Sequence, residues 1–222
     1  MKRSPLFIGG AAALLSLGLA LGGCAQSPDY ARYVSDYRSE IYRGENEELS
    51  LTAFFGEREY PYAADGVCAE KAPFAEIYMT APDNTKDYEV YFTVNGKEYG
   101  GDMSYDSVYA RFFYSESVEA VSLPSLSFTV VCDGEETVVE AASVKAGNEM
   151  TMPAIIDRLV AQRTDLFENL TSGGTFNGEL YVRLVYTEKC YWFVGVVSAE
   201  EWSDYFLLDA VTGNIMAERT HG

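Results

Sequence analysis

The chain has 222 residues, 48% of them hydrophobic and 23% charged, with a formal net charge of −18 and a pI of about 4.3. This is an ordinary globular composition, enough for one large domain or two small ones, and it excludes collagen-like, disordered and coiled-coil chains. So acidic a balance argues against nucleic acid as a partner, because phosphate binding needs a basic patch. The single histidine, His221, lies next to the last residue, which argues against chemistry built on a buried His base or a His-ligated metal.

The chain opens with Met1-Lys2-Arg3, followed by an Ala-, Leu- and Gly-rich apolar run from Phe7 to Leu21. The run is short and Gly-rich for a spanning helix, which needs about 20 apolar residues. A basic start, an apolar core and small residues before a cleavage point read instead as a secretory signal. The residues that follow, Leu21-Gly22-Gly23-Cys24, resemble the lipobox of bacterial lipoproteins. That resemblance implies cleavage before Cys24 and acylation of its sulfur, leaving the protein lipid-anchored on the extracytoplasmic side of the cell membrane. A diacylglycerol supplies two chains, enough for stable anchoring. Loss of residues 1–23 removes Lys2 and Arg3 and no acid, moving the net charge from −18 to −20. The plain alternative is an ordinary cleaved signal that happens to contain a cysteine.

In the mature chain, Ser27-Pro28-Asp29 has the pattern of a helix start. Tyr30, Tyr33, Val34, Tyr37 and Ile41 recur at helical spacing, with Gly44 placed to end the helix. From Leu49 the period becomes two. Strands are expected over Leu49–Phe55, Phe74–Thr80, Tyr88–Val94, Val108–Tyr114 and Leu126–Cys132. Asn95-Gly96 and Asp133-Gly134 mark tight hairpins, because both central turn positions need positive φ. Short strands at this spacing over residues 45–147 suggest an antiparallel β-sandwich of immunoglobulin-like architecture. Ala146-Gly147-Asn148-Glu149 reads as a boundary. Beyond it, Thr151 and Pro153 open a helix whose apolar face is Met152, Ile155, Ile156, Leu159, Leu166 and Leu170, and Gly173-Gly174 closes it. Three strand-like runs follow, Glu179–Tyr186, Tyr191–Val197 and Tyr205–Ala210.

The closing run Asp209-Ala210-Val211-Thr212-Gly213-Asn214-Ile215 resembles the end of PepSY domains, small helix-plus-three-strand modules of secreted and membrane-associated proteins, some of which accompany peptidases as inhibitory or chaperoning segments. The organisation expected is therefore a signal peptide over 1–23, a lipidated Cys24 with a short helix over 24–44, a β-sandwich over 45–147 and a PepSY-like α+β module over 148–222. The fold class is mainly β with an α+β component.

No G-x-S-x-G, H-E-x-x-H or Gly-rich phosphate loop is present. Carboxylates of the kind that work in pairs on glycosides are numerous: Glu45, Glu47 and Glu48; Glu135 and Glu136; Glu200, Glu201 and Asp204. Their loop-like settings read as solvated charge. Cys68, Cys132 and Cys190 can form at most one disulfide, Cys68–Cys132 being one pairing, and their spacing gives no zinc pattern. Tyr99, Tyr105, Tyr109 and Tyr114 group with Asp102 and Asp106 as the best exposed aromatic patch, while Trp192 and Trp202 read as sheet packing. Taken together, the residues point to a non-enzymatic binding or regulatory lipoprotein without metal or cofactor. It is held at the membrane through Cys24 and carries a protein partner at the cell surface, a peptidase among the candidates, with no small-molecule ligand that can be named. The alternative is a binder of cell-wall glycan or peptide.

Overall fold

A computed structural model describes residues 28–60, 68–198 and 202–221. The protein is mainly β. A 3-10 turn, Tyr30–Tyr33, leads into β1 (Val34–Glu45), β2 (Ser50–Glu59), β3 (Lys71–Thr80), β4 (Tyr88–Val94), β5 (Lys97–Asp102), β6 (Ser104–Asp106), β7 (Arg111–Glu116), β8 (Ser125–Cys132) and β9 (Glu135–Ser143). Helices α1 (Met152–Gln162) and α2 (Thr164–Asn169) follow. After them come β10 (Thr171–Ser172), β11 (Thr175–Phe176), β12 (Gly178–Tyr186), β13 (Cys190–Ser198), β14 (Ser203–Asp209) and β15 (Ile215–His221). No helix of the described residues is long and apolar enough to cross a membrane.

All strands except β10 and β11 join one 13-stranded sheet. One path runs β15-β14-β13-β12-β1-β2-β3-β7-β6, and a second leaves β1 through β9 to β8, β4 and β5. β5 and β6 continue each other across Met103, whose N–H bonds the carbonyl of Tyr88 at 2.8 Å, so the part built from β1–β9 nearly closes on itself. Its interior is filled by Tyr42, Leu51, Phe55, Ile77, Met79, Phe92, Phe112 and Phe128 among others. The second core lies between α1, α2 and one face of β12–β14. There Ile155, Ile156 and Leu159 of α1 meet Leu180, Val182, Leu184, Trp192, Val194, Phe206 and Leu208.

The hairpin expectations hold in detail. Asn95 and Gly96 have φ of 51° and 77°, and Asp133 and Gly134 have 53° and 80°, so both turns use the left-handed region at both central residues. The helix expected from Thr151 breaks at Arg163 into α1 and α2, and Thr151 stands at the N-cap position without donating or accepting a side-chain cap bond.

The helix expected over Tyr30–Ile41 is overturned: apart from the single turn at Tyr30–Tyr33, this stretch is β1. Two things removed the alternation that marks a strand. β1 is a central strand buried on both faces, with Ile41 in the helix-side core and Tyr42 in the other. Its register also slips twice, between Val34 and Asp36 against β12 and between Arg38 and Glu40 against β2. Each slip adds a residue and breaks the period of two, so the remaining spacing imitates a helix. Gly44 does not end the element. The proposed cap Ser27 and the leader lie outside the described residues.

β1 pairs with β2 along most of its length, with β12 in parallel at its start and with β9 at its end. Against the second slip stands Gly56, where an added Cβ would lie 2.1 Å from the Tyr37 carbonyl oxygen and 2.9 Å from the Arg38 Cα. Both obstacles are backbone and cannot swing away. Gly56→Ala is expected to lower unfolding free energy by about 3 kcal/mol, an overpacking cost. Gly96→Ala, with open space but a positive φ, should lose only about 1 kcal/mol. Urea unfolding of the two variants measures both.

Candidate functional site

The strands place a second set of side chains on the face turned away from the β1–β9 interior. Alternation sends Ala75, Ile77 and Met79 of β3 inward, and so turns Glu76 and Tyr78 outward. The same logic turns Phe54 and Arg58 on β2 and Arg111 and Phe113 on β7 to this outer face, where all four are half-buried and Phe54 also packs against the helix-side core. They form a ladder of guanidinium groups and rings. Arg111 lies 3.9 Å over the Tyr78 ring and 4.8 Å over Tyr109. Tyr78 packs on Phe113 at 5.0 Å and on Phe54 at 5.8 Å, and Arg38 lies 4.5 Å over Phe54.

Glu76 sits at the centre, 5% exposed. Its Oε1 accepts from Arg58 Nη1 at 2.7 Å, and its Oε2 accepts from Arg38 Nη2 at 3.5 Å and from the Tyr78 hydroxyl at 3.2 Å. Next along the face, Asp36 Oδ2 accepts from Arg183 Nε at 3.1 Å and Nη2 at 2.7 Å. Lys145 Nζ bonds buried Glu40 at 2.7 Å. Asp36 Oδ1, Arg38 Nε and Arg111 Nε are buried without a hydrogen-bond partner among the described residues. Burial pulls the Arg38 pKa below the ordinary guanidinium value against the opposing pull of Glu76 and Asp36. Burial, then the charge of Glu76, raises the Tyr78 hydroxyl, so it stays a neutral donor at physiological pH. The arrangement is a half-buried cationic shelf on an acidic protein. It can stack planar groups and bond an anion.

The residues singled out in the sequence are dispersed. Cys24 lies outside the described residues, as do Glu200 and Glu201. Glu45, Glu47, Glu48, Glu135 and Glu136 are exposed, while Asp204 is buried in β14. Cys68, Cys132 and Cys190 are free thiols, so the Cys68–Cys132 pairing is not present. Burial, reinforced by Glu59, pushes the Cys68 thiol up to about 11, and burial does the same for Cys190, leaving both protonated and weakly nucleophilic. Trp192 is core, its indole N–H donating to the Met150 carbonyl at 3.1 Å, and Trp202 packs against the same core. The tyrosine group divides. Tyr99 and Tyr114 turn inward onto Phe92, and only Tyr105 and Tyr109 are exposed.

The Asp209–Ile215 run is a turn locked to α1. The Asp209 carboxylate accepts from the N–H groups of Val211 at 3.1 Å and Thr212 at 2.9 Å, from the Thr212 hydroxyl at 3.0 Å and from Lys189 Nζ at 2.6 Å. Gly213 has φ of 70°, and Gln162 of α1 donates to its carbonyl at 2.7 Å. The motif therefore does structural work, fixing β14 and β15 against the helix.

Arg38, Arg58, Glu76, Arg111 and Arg183 were missed in the sequence. The signal was present as charged and aromatic residues on the outward positions of period-two strands, Phe54 with Arg58, Glu76 with Tyr78, and Arg111 with Phe113. Among the described residues no group of three or more His, Cys, Asp or Glu side chains could hold a metal ion. Comparison with protein-family models, curated proteins and solved structures gives no match.

Glu76→Gln would leave Arg38 and Arg58 without their shared counter-charge. It is expected to destabilise the protein by about 2 kcal/mol in urea unfolding, below the fully buried range because the Arg58 side chain is 36% exposed. Asp209 is held well below the usual carboxylate range, first by Lys189 and then by the turn N–H groups. A depressed carboxylate stabilises fully above its unfolded pKa and loses that contribution as pH falls below about 4. Asp209→Asn should therefore be less stable than wild type at pH 7, and the difference in urea midpoint should narrow by about pH 2.

Proposed function

We propose that this is a lipid-anchored extracytoplasmic lipoprotein whose role is to bind a partner at the cell envelope rather than to catalyse a reaction. Leu21-Gly22-Gly23-Cys24 supports the anchor. The structural observation that carries the binding role is the shelf of Arg38, Arg58 and Arg111 laid over Phe54, Phe74, Tyr78 and Tyr109. Arginine and tyrosine on a half-buried, pre-ordered surface are the composition of binding hot spots. In this reading residues 45–147 together with β1 are the sandwich-like platform that carries the shelf, and residues 148–222 are a PepSY-like module. A peptidase acted on in trans is one partner that the PepSY resemblance suggests. The alternative, a binder of wall glycan or peptide, draws on the exposed Tyr105 and Tyr109.

Two measurements on intact cells test the proposal. Metabolic labelling with a palmitate analogue should mark the wild type in the membrane fraction, and Cys24→Ala should lose the label and accumulate uncleaved. A photo-crosslinking residue at position 109 should capture one enriched envelope protein in the labelled strain. An unlabelled wild type would overturn the anchor, and capture of wall fragments alone would favour the glycan alternative.

A further inference from the structure

We propose that the β6–β7 hairpin is the recognition end of the shelf, with Arg111 holding an aspartate or glutamate side chain in a partner polypeptide. This rests on the binding role proposed above and names its ligand. The hairpin pairs Ser104–Asp106 with Arg111–Phe113 at the end of one strand path, where β6 continues β5. Tyr105, Val108 and Tyr109 are exposed there by 37%, 83% and 68%. Tyr105 packs on the inward-facing Phe112 ring at 5.0 Å, which leaves Val108 and Tyr109 as the exposed apolar patch beside Arg111.

Arg111 stands at the base of that patch between two tyrosine rings, 3.9 Å and 4.8 Å from their centroids. The rings lie against the guanidinium, whose terminal N–H groups form the kind of fork that matches a carboxylate. Its charge is not neutralised from within. No acid among the described residues lies within ion-pair distance of it, and its buried Nε has no partner there. Asp106, opposite it in register, has its Oδ1 engaged by the N–H groups of Val108 at 3.0 Å and Tyr109 at 3.3 Å, and Glu76 is held by Arg38 and Arg58. Arg38, Arg58, Lys145, Arg163, Arg183 and Lys189 all have carboxylate partners. The rings also fix the fork before any ligand arrives, which lowers the ordering cost of binding.

Charge and shape narrow the ligand further. The rest of an acidic surface repels a polyanion, so the fitting segment carries an isolated acidic residue for Arg111 among apolar ones for Val108 and Tyr109. That pattern belongs to a polypeptide and not to a uniformly anionic glycan. Asp106, opposite Arg111 in register, disfavours a second acid in the same segment.

A random nonapeptide display library selected on the full chain in detergent tests this directly. The expected result is enrichment of peptides with one Asp or Glu between apolar residues. For a selected fluorescent peptide, Arg111→Gln should weaken binding at least about tenfold, and Arg111→Lys, which keeps charge but loses the fork, should fall between. Tyr109→Ser removes a 68% exposed ring that lies against Arg111 and should also weaken binding, so a folding defect at position 111 does not leave the question open. Enrichment without acidic residues, acidic enrichment indifferent to Arg111 and Tyr109, self-association in place of peptide binding, or no enrichment would each overturn the proposal. Crosslinking at position 109 in cells is read separately. A captured partner with no acidic selection defeats this inference alone, and no captured partner defeats the binding role itself.

Discussion

The fold depends on β1 having two hydrophobic faces and three strand neighbours. Its start pairs in parallel with β12 and its end with β9, while β2 follows it along the other edge. Ile41 enters the core under the helices and the next residue, Tyr42, enters the other. Neither core can be completed without this strand. The Tyr42 hydroxyl also donates to the Val121 carbonyl at 2.6 Å and accepts from the Leu123 N–H at 3.0 Å, pinning the long β7–β8 connection.

The same strand explains where the buried charges sit. A strand that leaves one sheet environment and enters another must twist, and the slips at Val34/Asp36 and Arg38/Glu40 are where it does so. Asp36, Arg38 and Glu40 flank those slips, around the extra residues Ser35 and Ser39, and are largely withdrawn from water. Each is therefore matched from another element: Asp36 by Arg183 of β12, Arg38 by Glu76 of β3, and Glu40 by Lys145 after β9. A buried pair is poor evidence of net stability, but losing one member is costly. The pairs thus tie the strands around β1 to a single arrangement, and the shelf inherits its order from them.

How far this was legible in the sequence follows the same physics. Asn95-Gly96 and Asp133-Gly134 announced their hairpins because turn chemistry is local. β4, β8, β12 and β13 showed themselves by alternation or by apolar runs between turn residues. β1 did not, because double burial and two slips erased its period. The seven residues from Asp209 to Ile215 stood out as a motif, and their function in the fold, a carboxylate-capped turn against α1, needed coordinates to see. The shelf was the least legible part. Its arginines and rings come from β1, β2, β3, β7 and β12, far apart in the chain, and only the register brings Arg111 over Tyr78 or Glu76 between Arg38 and Arg58. The tyrosine group chosen from sequence divides for a similar reason: proximity in sequence placed four rings together, while strand direction sent Tyr99 and Tyr114 onto Phe92 and Tyr105 onto Phe112 at the rim, leaving Tyr109 on the shelf side.

The position of β1 has a mechanical consequence. β1 is the first strand of the described residues, so a load arriving from the N-terminal side enters the sheet through this central strand and not through an edge. Pulled along its own axis, β1 is resisted by the ladders to β2 and β12 at once, with their hydrogen bonds sharing the strain in shear. An edge strand such as β15 would instead peel away one bond at a time. A pull on the N-terminal side thus meets two hydrogen-bond ladders in shear before the sheet can open.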